Sequence, residues 1–241
     1  MQISSFLTLS KQTALTRQIE VTANNLANAS TNGYRRTAIQ FNSIMQQPNT
    51  TDVIAYPFEA ETYVDFTEAA IQNTNNPLDL SILGNSQAFF VVEKDGERRL
   101  TRNGNFQLGP NGTLQTTIGE TVLGDGDQPI RLNPSAQQYF IGPDGTIFSD
   151  ADRSGRVRVV QRRDNSPLTR VGSAGFRLYE GAVEETTNFT IQGGRIESAN
   201  VTPVLEMTLL VEASRHYEML QQVLQMEDER QSSAIDKIPS A

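Results

Sequence analysis

The stretch that decides the fold is residues 23–36, which read ANNLANASTNGYRR. It places Asn24, Asn25 and Asn28 inside an otherwise helical pattern and follows them with the breaker run at residues 30–33 (STNG). Because asparagine is a mediocre helix former, this density favours a helix that must hold a register against its neighbours. The alternative is a fraying helix end with local side-chain-to-backbone bonds before a glycine cap. Both interpretations predict that a long helix ends within this stretch.

A helical pattern precedes this junction, over residues 3–29. Its apolar stripe recurs at steps of three and four residues, through Leu15, Ile19, Thr22 and Leu26. A stripe this thin is a poor basis for a helix that stands alone in water. We expect Gly33 to take a left-handed conformation that ends the helix and directs Tyr34 into the following connector.

A second and stronger helical pattern covers residues 203–230. Thr202 can cap this helix, and Pro203 suits its first position. A heptad-like seam follows at alternating steps of three and four residues, through Leu210, Ala213, Tyr217, Leu220 and Leu224. The acidic run 227–229 opposes the helix dipole, which predicts fraying or a partner there. Two seams at opposite ends of one chain predict an antiparallel coiled coil.

The middle of the chain predicts an inserted β domain. Residues 37–78 hold three prolines and few regular periods, which predicts an extended connector with short strands. Residues 79–198 are divided by turn motifs into short strand-like runs. The predicted fold class is therefore α+β, in which residues 1–36 and 199–241 form a terminal-helix coiled-coil domain around the β-rich domain.

Turn motifs organise the predicted β domain into short antiparallel strands. The strand-like run 87–93 is followed by residues 94–97 (KDGE), which predict a hairpin turn. Residues 109–112 (GPNG) and 142–145 (GPDG) each separate two further strand-like runs. Two copies are too few to indicate a repeat fold, so we expect a meander of short strands.

Several motifs together resemble the flagellar axial proteins, the rod and hook family, and most closely its basal-body rod members of the proximal rod. The resemblance covers both ends and the middle of the chain, at residues 9–12 (LSKQ), 14–15 (AL), 17–18 (RQ), 23–34 (ANNLANASTNGY), 104–106 (GNF), 112–114 (GTL), 198–201 (SANV), 206–207 (EM) and 217–218 (YE). The sequence departs at Asn32, where Thr or Pro is more usual, and at Tyr34, where Phe is common. The asparagine-rich run is specific to the family, and the opening LSKQTALTRQ favours the proximal rod over the distal rod or hook.

The resemblance implies a structural subunit without catalytic residues, cofactor or metal. Such a subunit would polymerise helically with its own copies and with neighbouring rod proteins, and would transmit torque from the basal body to the distal rod and hook. It would leave through the flagellar type III export apparatus without a cleavable signal peptide and reside in the periplasm-spanning rod. The motifs and the two seams predict an assembly interface made of Leu15, Ile19, Asn24, Asn25, Leu26, Asn28, Gly33, Tyr34, Leu210, Ala213, Tyr217, Leu220 and Leu224.

Composition disfavours several other classes of function. A formal net charge of −8 and a pI near 4.8 argue against a nucleic-acid partner, because phosphate binding requires a basic face. A sequence without cysteine excludes disulfides, thiol catalysis and cysteine metal sites. Residues 1–10 lack the pattern of a signal peptide, and no run approaches the ~18 apolar residues of a membrane span. The hydrophobic share of 37% fits either a loop-rich β protein or one whose apolar surface is covered by other subunits.

Candidate catalytic or metal-binding groups are few. His216, the only histidine, lies in a predicted helix without partner residues for catalysis. Residues 150–155 (DADRSG) open like a calcium loop but lack its final glutamate. Five arginines within residues 153–163 form either a solvated strand face or a site for an acidic patch on an adjacent subunit. The alternatives that stay open are a distal rod or hook subunit and, from another class, an extracellular β-rich hydrolase or carbohydrate-binding module.

Overall fold

The chain divides into two compact units that differ in their secondary structure. The computed structural model describes residues 2–46, 54–163, 166, 168–179 and 181–236. The first unit, here called the helical unit, comprises Met1–Ala27, Thr37–Asp65 and Thr202–Ala241. The second, the β unit, comprises Asn28–Arg36 and Phe66–Val201.

The helical unit contains two long helices and two long strands, namely α1 (Gln2–Ala27), β1 (Thr37–Gln46), β2 (Ile54–Val64) and α2 (Pro203–Asp236). β1 and β2 form an antiparallel ladder in which Thr37 lies opposite Val64 and Gln46 opposite Ile54. The predicted connector with short strands is corrected here, because strands of 10 and 11 residues pair with each other. Pro57 within β2 hides this ladder from sequence reasoning, since proline in a strand argues against a regular sheet.

The two units divide the chain differently from the predicted domains. Residues 28–36, expected in the terminal-helix domain, cluster with the β unit. Residues 37–65, expected in the connector, cluster with the helices. Side-chain contacts account for both differences, because Arg35 is buried inside the β unit, whereas the backbone of Thr37 bonds to Asn25 of α1.

α1 and α2 contact each other and run antiparallel. Gln12 Nε2 donates a hydrogen bond to Tyr217 Oη at 3.0 Å. Farther along α1, Asn25 Nδ2 donates to Glu206 Oε2 at 3.3 Å, nearer the start of α2. The predicted pairing of the terminal helices is thus confirmed as side-by-side contact, whereas the knobs-into-holes packing of a coiled coil stays a prediction.

Both helices end at places other than the predicted ones. α1 ends at Ala27, slightly before the expected end. Gly33 has the predicted left-handed conformation, with φ of 68°, but lies well beyond the helix and does not end it. α2 continues to Asp236 rather than fraying at its acidic run. Arg230 and Glu227 form an ion pair at this acidic run, 2.7 Å apart and one turn from each other.

The β unit is built from short strands, as predicted. Within its described residues the strands are β3 (Ile71–Asn73), β4 (Leu80–Leu83), β5 (Ala88–Lys94), β6 (Glu97–Thr101), β7 (Phe106–Leu108), β8 (Leu114–Thr116), β9 (Thr121–Val122), β10 (Tyr139–Ile141), β11 (Thr146–Ser149), β12 (Asp152–Arg156), β13 (Val159–Arg162), β14 (Arg170–Val171), β15 (Gly175–Arg177), β16 (Val183–Glu185), β17 (Thr190–Gly193) and β18 (Arg195–Glu197). They pair antiparallel throughout. The predicted α+β class with an inserted antiparallel β domain is therefore confirmed.

The largest sheet is organised around β5, which is buried on both faces. Its strands follow the order β14-β15-β6-β5-β9-β8-β7, and β13 joins β5 to β16. On one face, the ring of Phe90 packs edge-on against Phe106, with centroids 5.2 Å apart. On the other face, Phe89 packs edge-on against Phe176 at 5.7 Å. Burial on both faces explains the continuous apolar run of this strand.

The predicted turns are confirmed between these strands. Asp95 and Gly96 join β5 to β6 with φ angles of 54° and 77°, the left-handed pair that a tight hairpin requires. Gly112 and Gly145, with φ of 70° and 86°, complete the two proline–glycine turns. These turns connect β7 to β8 and β10 to β11. The pairs β4–β17 and β3–β18 join distant parts of the chain and have no local sequence signal.

Candidate assembly site

The predicted seam residues lie on the less exposed side of each helix. On α2, Ala213 is 1% exposed, and the other four are partly buried, namely Leu210, Tyr217, Leu220 and Leu224. On α1, Leu15, Ile19 and Leu26 are partly buried. A groove of ≈ 460 Å³ between the two helices is lined by Lys11, Ala14, Leu15, Gln18, His216, Met219 and Leu220. Because Ala14 offers only a methyl group, α1 and α2 alone do not fill their seam.

The first three asparagines of the quoted stretch, Asn24, Asn25 and Asn28, take different roles. Asn25 is 1% exposed, donates to the carbonyl of Thr37 at 2.8 Å and accepts from the Thr37 amide at 3.0 Å. It also contacts the fully buried carboxylate of Glu206 on α2. Asn25 therefore fixes the register of α1, α2 and β1, as the first interpretation expected. Asn28 instead accepts local bonds from Thr31, as the second expected, and Asn24 is exposed.

α2 carries a second apolar face that the sequence analysis missed. Away from the seam, its large apolar side chains are 47–68% exposed, namely Val204, Leu205, Met207, Val211, Met219, Val223 and Met226. Steps of three and four residues from Val204 to Val211 were a visible signal. Arg215 and Glu218 on the same side of the helix made that side look polar. An extended apolar surface of this kind marks an interaction site.

The residues after α1 are anchored inside the β unit. A Cβ placed on Gly33 would lie 2.3 Å from the backbone nitrogen of Asn103, so no other residue fits there. Tyr34 is fully buried, and the guanidinium of Arg170 lies 4.6 Å from the centre of its ring. Tyr34 thus packs inside the β unit, which also includes residues 66–78 of the expected connector. These contacts of Gly33 and Tyr34 lie within the β unit, and the part of both residues in assembly stays a prediction.

Next to Tyr34, three charged side chains form a buried group, here called the junction cluster: Arg35, Arg102 and Glu197. Their side chains are 1%, 1% and 3% exposed. Arg35 Nη1 lies 2.9 Å from Glu197 Oε1, and Arg102 Nε lies 2.5 Å from Glu197 Oε2. Burial lowers the pKa of Arg35 from its ordinary value, and the charge of Glu197 opposes that effect. Sequence reasoning missed this cluster because its members come from three distant segments.

Asn200 ties the same region together through its side chain. Its Oδ1 accepts a hydrogen bond from the Arg36 amide at 2.6 Å, and its Nδ2 donates to the Thr67 carbonyl at 3.1 Å. The backbone amide of Asn200 donates a hydrogen bond to the backbone carbonyl of Tyr34 at 3.3 Å. Three segments of the β unit, around residues 34–36, 67 and 200, are therefore joined by one amide side chain.

Part of the basic cluster predicted at residues 153–163 makes contacts within the β unit. Arg158 pairs with Asp127 and lies 3.6 Å from Glu185. Arg162 stacks over the ring of Phe66 at 4.6 Å. Arg158 and Arg162 thus have partners inside the β unit, and the solvated strand face and the site for an acidic patch both stay predictions for the cluster.

Three family models match the chain and together cover its two ends and its middle. They are described as flagella basal body rod protein over residues 9–35, flagellar hook protein FlgE/F/G D1 domain over residues 83–149, and flagellar basal body rod FlgEFG protein C-terminal over residues 192–237. These matches, with helices at both ends and antiparallel strands between, define the class as a flagellar axial protein. None of the helices in the described residues has the length and apolar character needed to cross a membrane.

Curated relatives narrow this class to one family. The flagellar basal-body rod protein FlgF of Caulobacter vibrioides is 31% identical over 238 residues, covering 97% of this chain and 96% of the relative. FlgF of Salmonella typhimurium is 33% identical over 240 residues, covering 90% of each. The rod protein FlgG of Agrobacterium fabrum is 27% identical over 244 residues, covering 89% and 91%. The chain belongs to the flagellar basal-body rod protein family and is FlgF-like.

Proposed function

We propose that the chain is a structural subunit of the proximal flagellar rod, which polymerises helically and transmits torque from the basal body to the distal rod and hook. Family membership and the FlgF relatives support this function. The observation that best supports polymerisation is the second apolar face of α2, where Val204 is 68% and Val211 50% exposed. Large apolar side chains on both sides of one helix favour cover from neighbouring subunits.

The proposed contact joins unlike surfaces of successive subunits. The apolar face of α2 in one subunit enters the unfilled groove between α1 and α2 of the next, beside Leu15 and Leu220. Within each subunit, α1 and α2 pair as an antiparallel coiled coil. Because the two surfaces differ, the contact is heterologous, and its repetition by a screw operation builds a helical array. Asn25 and Glu206 keep the helices in register, so each added subunit presents the same groove.

The proposed partners are further copies of the chain and the other rod proteins at either end of its segment. Export through the flagellar type III apparatus, without a cleavable signal peptide, is proposed from family membership. The subunit acts through mechanical contacts and has no catalytic role. His216 fits this view, because it lies exposed on α2 at the border of the groove.

A change on the apolar face of α2 tests the proposal. Val211→Glu places a charge where an apolar contact is expected, and the half-exposed side chain leaves the fold of the monomer unchanged. We expect normal circular dichroism of the purified variant, no rod in basal bodies imaged by electron microscopy, and no swimming on soft agar. Val211→Ile keeps the surface apolar and is the matched control, expected to assemble. Normal rods with Val211→Glu would contradict the proposed contact.

A deletion strain separates the rod subunit from the rival functions. Loss of the chain should leave basal bodies without a complete rod and hook, whereas loss of a secreted hydrolase or carbohydrate-binding module would leave both intact. A distal rod or hook subunit would leave the proximal rod in place. Negative-stain images of basal bodies from the deletion strain show the last component that has assembled, and this component distinguishes the alternatives.

A further inference from the structure

The junction cluster contains more positive than negative charge. Two guanidinium groups, of Arg35 and Arg102, share the single carboxylate of Glu197. Buried charges in proteins are normally paired, because an unpaired one loses its hydration without compensation. One positive charge in this cluster therefore lacks a buried counter-ion.

The excess charge belongs to Arg35 and not to Arg102. The nitrogens of Arg102 all have acceptors: Glu197 and the carbonyls of Ile82, Asn85 and Ala88. Arg35 uses Nη1 for Glu197 and for the carbonyl of Thr67. Its Nε and Nη2 are buried and have no hydrogen-bond partner within the described residues. These two nitrogens form one edge of the guanidinium, the edge that binds a carboxylate in bidentate geometry.

One further carboxylate, that of Glu68, belongs to a residue whose two chain neighbours both contact the junction cluster. Thr67, immediately before Glu68, gives its carbonyl to Arg35. Ala69, immediately after it, donates its amide to Glu197 Oε1 at 3.1 Å. Glu68 is exposed, in a coil between β2 and β3. Its charge raises the pKa of Arg35, against the larger lowering by burial. The carboxylate thus already acts on the guanidinium.

We propose that Glu68 is the second counter-ion of the junction cluster, and that its carboxylate closes onto the Nε and Nη2 edge of Arg35. In the closed arrangement two arginines and two glutamates balance, and each nitrogen of the Arg35 guanidinium has an acceptor. Closure fastens residues 28–36 to the segment that carries Glu68. Arg35, Glu68 and Glu197 each lie near a point where the chain passes from one unit to the other. Glu68 therefore stiffens the part of the β unit that holds residues 28–36.

Hydrogen exchange of the full-length chain tests this proposal. The amides of Gly33 and Arg36 donate within the junction, to the Glu197 carbonyl at 2.8 Å and to Asn200 Oδ1 at 2.6 Å. We expect Glu68→Gln to make these two amides exchange about tenfold faster, the loss of one charge-assisted contact. Asp152→Asn removes an exposed carboxylate from β12 and should leave both rates unchanged.

The same substitution of Glu68, made in an Arg35→Lys variant, shows whether Glu68 acts through Arg35. Arg35→Lys keeps the charge but removes the bidentate edge, so adding Glu68→Gln to it should change exchange much less than in the wild type. An equal effect in both backgrounds, or none in the wild type, would overturn the proposal. If Arg35→Lys fails to fold, a crystal structure of the wild-type full-length chain tests the proposal directly. It should place the Glu68 carboxylate within about 3.2 Å of Arg35 Nε, and another group on that edge would refute the assignment.

Discussion

At the scale of single residues, Gly33 combines two separate requirements for glycine. Its φ of 68° favours glycine, and an added Cβ would lie 2.4 Å from the carbonyl carbon of Arg102. Backbone cannot move away as a flexible side chain would. The conformation and the close approach therefore act together, and each alone would disfavour substitution.

We expect Gly33→Val to destabilise the β unit by several kcal/mol, because the left-handed conformation alone costs about 1–2 kcal/mol and the backbone clash adds to it. Thermal unfolding of the purified chain and swimming on soft agar measure the effect. Ser30→Ala is the control, since Ser30 is exposed, and both assays should stay close to wild type. Equal tolerance of the two changes would show that Gly33 does not anchor the segment.

Asp144 gives a prediction about pH. Its carboxylate accepts from the Thr146 hydroxyl at 2.7 Å and from the Thr146 amide at 3.1 Å. The hydroxyl contact, followed by the amide contact, lowers the pKa of Asp144. A lowered pKa in the folded state means that this contribution is present above the unfolded value of about 3.9 and is lost as pH falls through the folded value.

We therefore expect the Tm difference between wild type and Asp144→Asn to be constant near neutral pH and to shrink below about pH 4. Thermal unfolding from pH 7 to pH 3 measures it. Asp152→Asn, which removes an exposed carboxylate from β12, provides the comparison. A difference that stays constant down to pH 3 would show that the charge of Asp144 does not stabilise the turn.

At the scale of elements, what the sequence could predict depended on how far apart the interacting residues lie. The helices and hairpin turns were predictable, because steps of three and four residues and the pairs Asp95–Gly96 and Pro143–Asp144 act locally. The junction cluster was not, because Arg35 and Glu197 meet only after β3 and β18 have paired. The helical pattern predicted the end of α2 at about residue 230, and the helix continues to Asp236.

The second apolar face of α2 shows a different limit. Its residues were visible, but a mixed face has no single period, and Met219 and Arg215 lie close together on the helix surface. Asn25 shows the reverse case, in which a residue of poor helix propensity correctly indicated a packing position. Its bonds to Thr37 and Glu206 outweigh that propensity, which costs only about 0.7 kcal/mol.

The seam of α2 provides the prediction at this scale. Leu220→Ala should block incorporation into the rod, since it widens the groove that the next subunit is proposed to fill. Leu→Ala costs about 2–5 kcal/mol at a buried position, and a partly buried Leu220 should lose less in the monomer and the full amount in the polymer. Gln222→Ala lies off the seam, on the apolar face of α2, and it replaces a polar side chain by an apolar one, so this variant should incorporate normally. Equal incorporation of both variants, measured in purified basal bodies, would show that the seam is misassigned.

At the scale of the whole molecule, the two units differ in how much of their structure they support alone. The β unit has a buried core around β5, whose first five residues are all buried. The helical unit exposes large apolar side chains along α2 and leaves a groove beside Ala14. Ordering a residue costs roughly 1–2 kcal/mol of backbone entropy, which a thin seam offsets poorly without neighbours.

We therefore expect the helices to be largely disordered in the isolated monomer and to fold on assembly, as coupled folding and binding allows. In the monomer, amides of residues 3–29 and 203–230 should exchange with solvent within seconds, while those of β5 and β6 stay protected. In assembled rods, both helical segments should become protected. Hydrogen exchange read by mass spectrometry on the monomer and on purified basal bodies makes the comparison.

A fragment of residues 28–201 sharpens this prediction, because it retains Arg35 and Tyr34 of the junction. A shorter fragment of residues 79–198 would keep Glu197 and Arg102 but lose Arg35, and should therefore unfold at a lower temperature. The longer fragment should unfold cooperatively, with a Tm close to that of the full-length monomer. Strong protection of both helices in a verified monomer would contradict the prediction. It would mean that the helical unit is stable alone and that its helices do not need neighbouring subunits in order to fold.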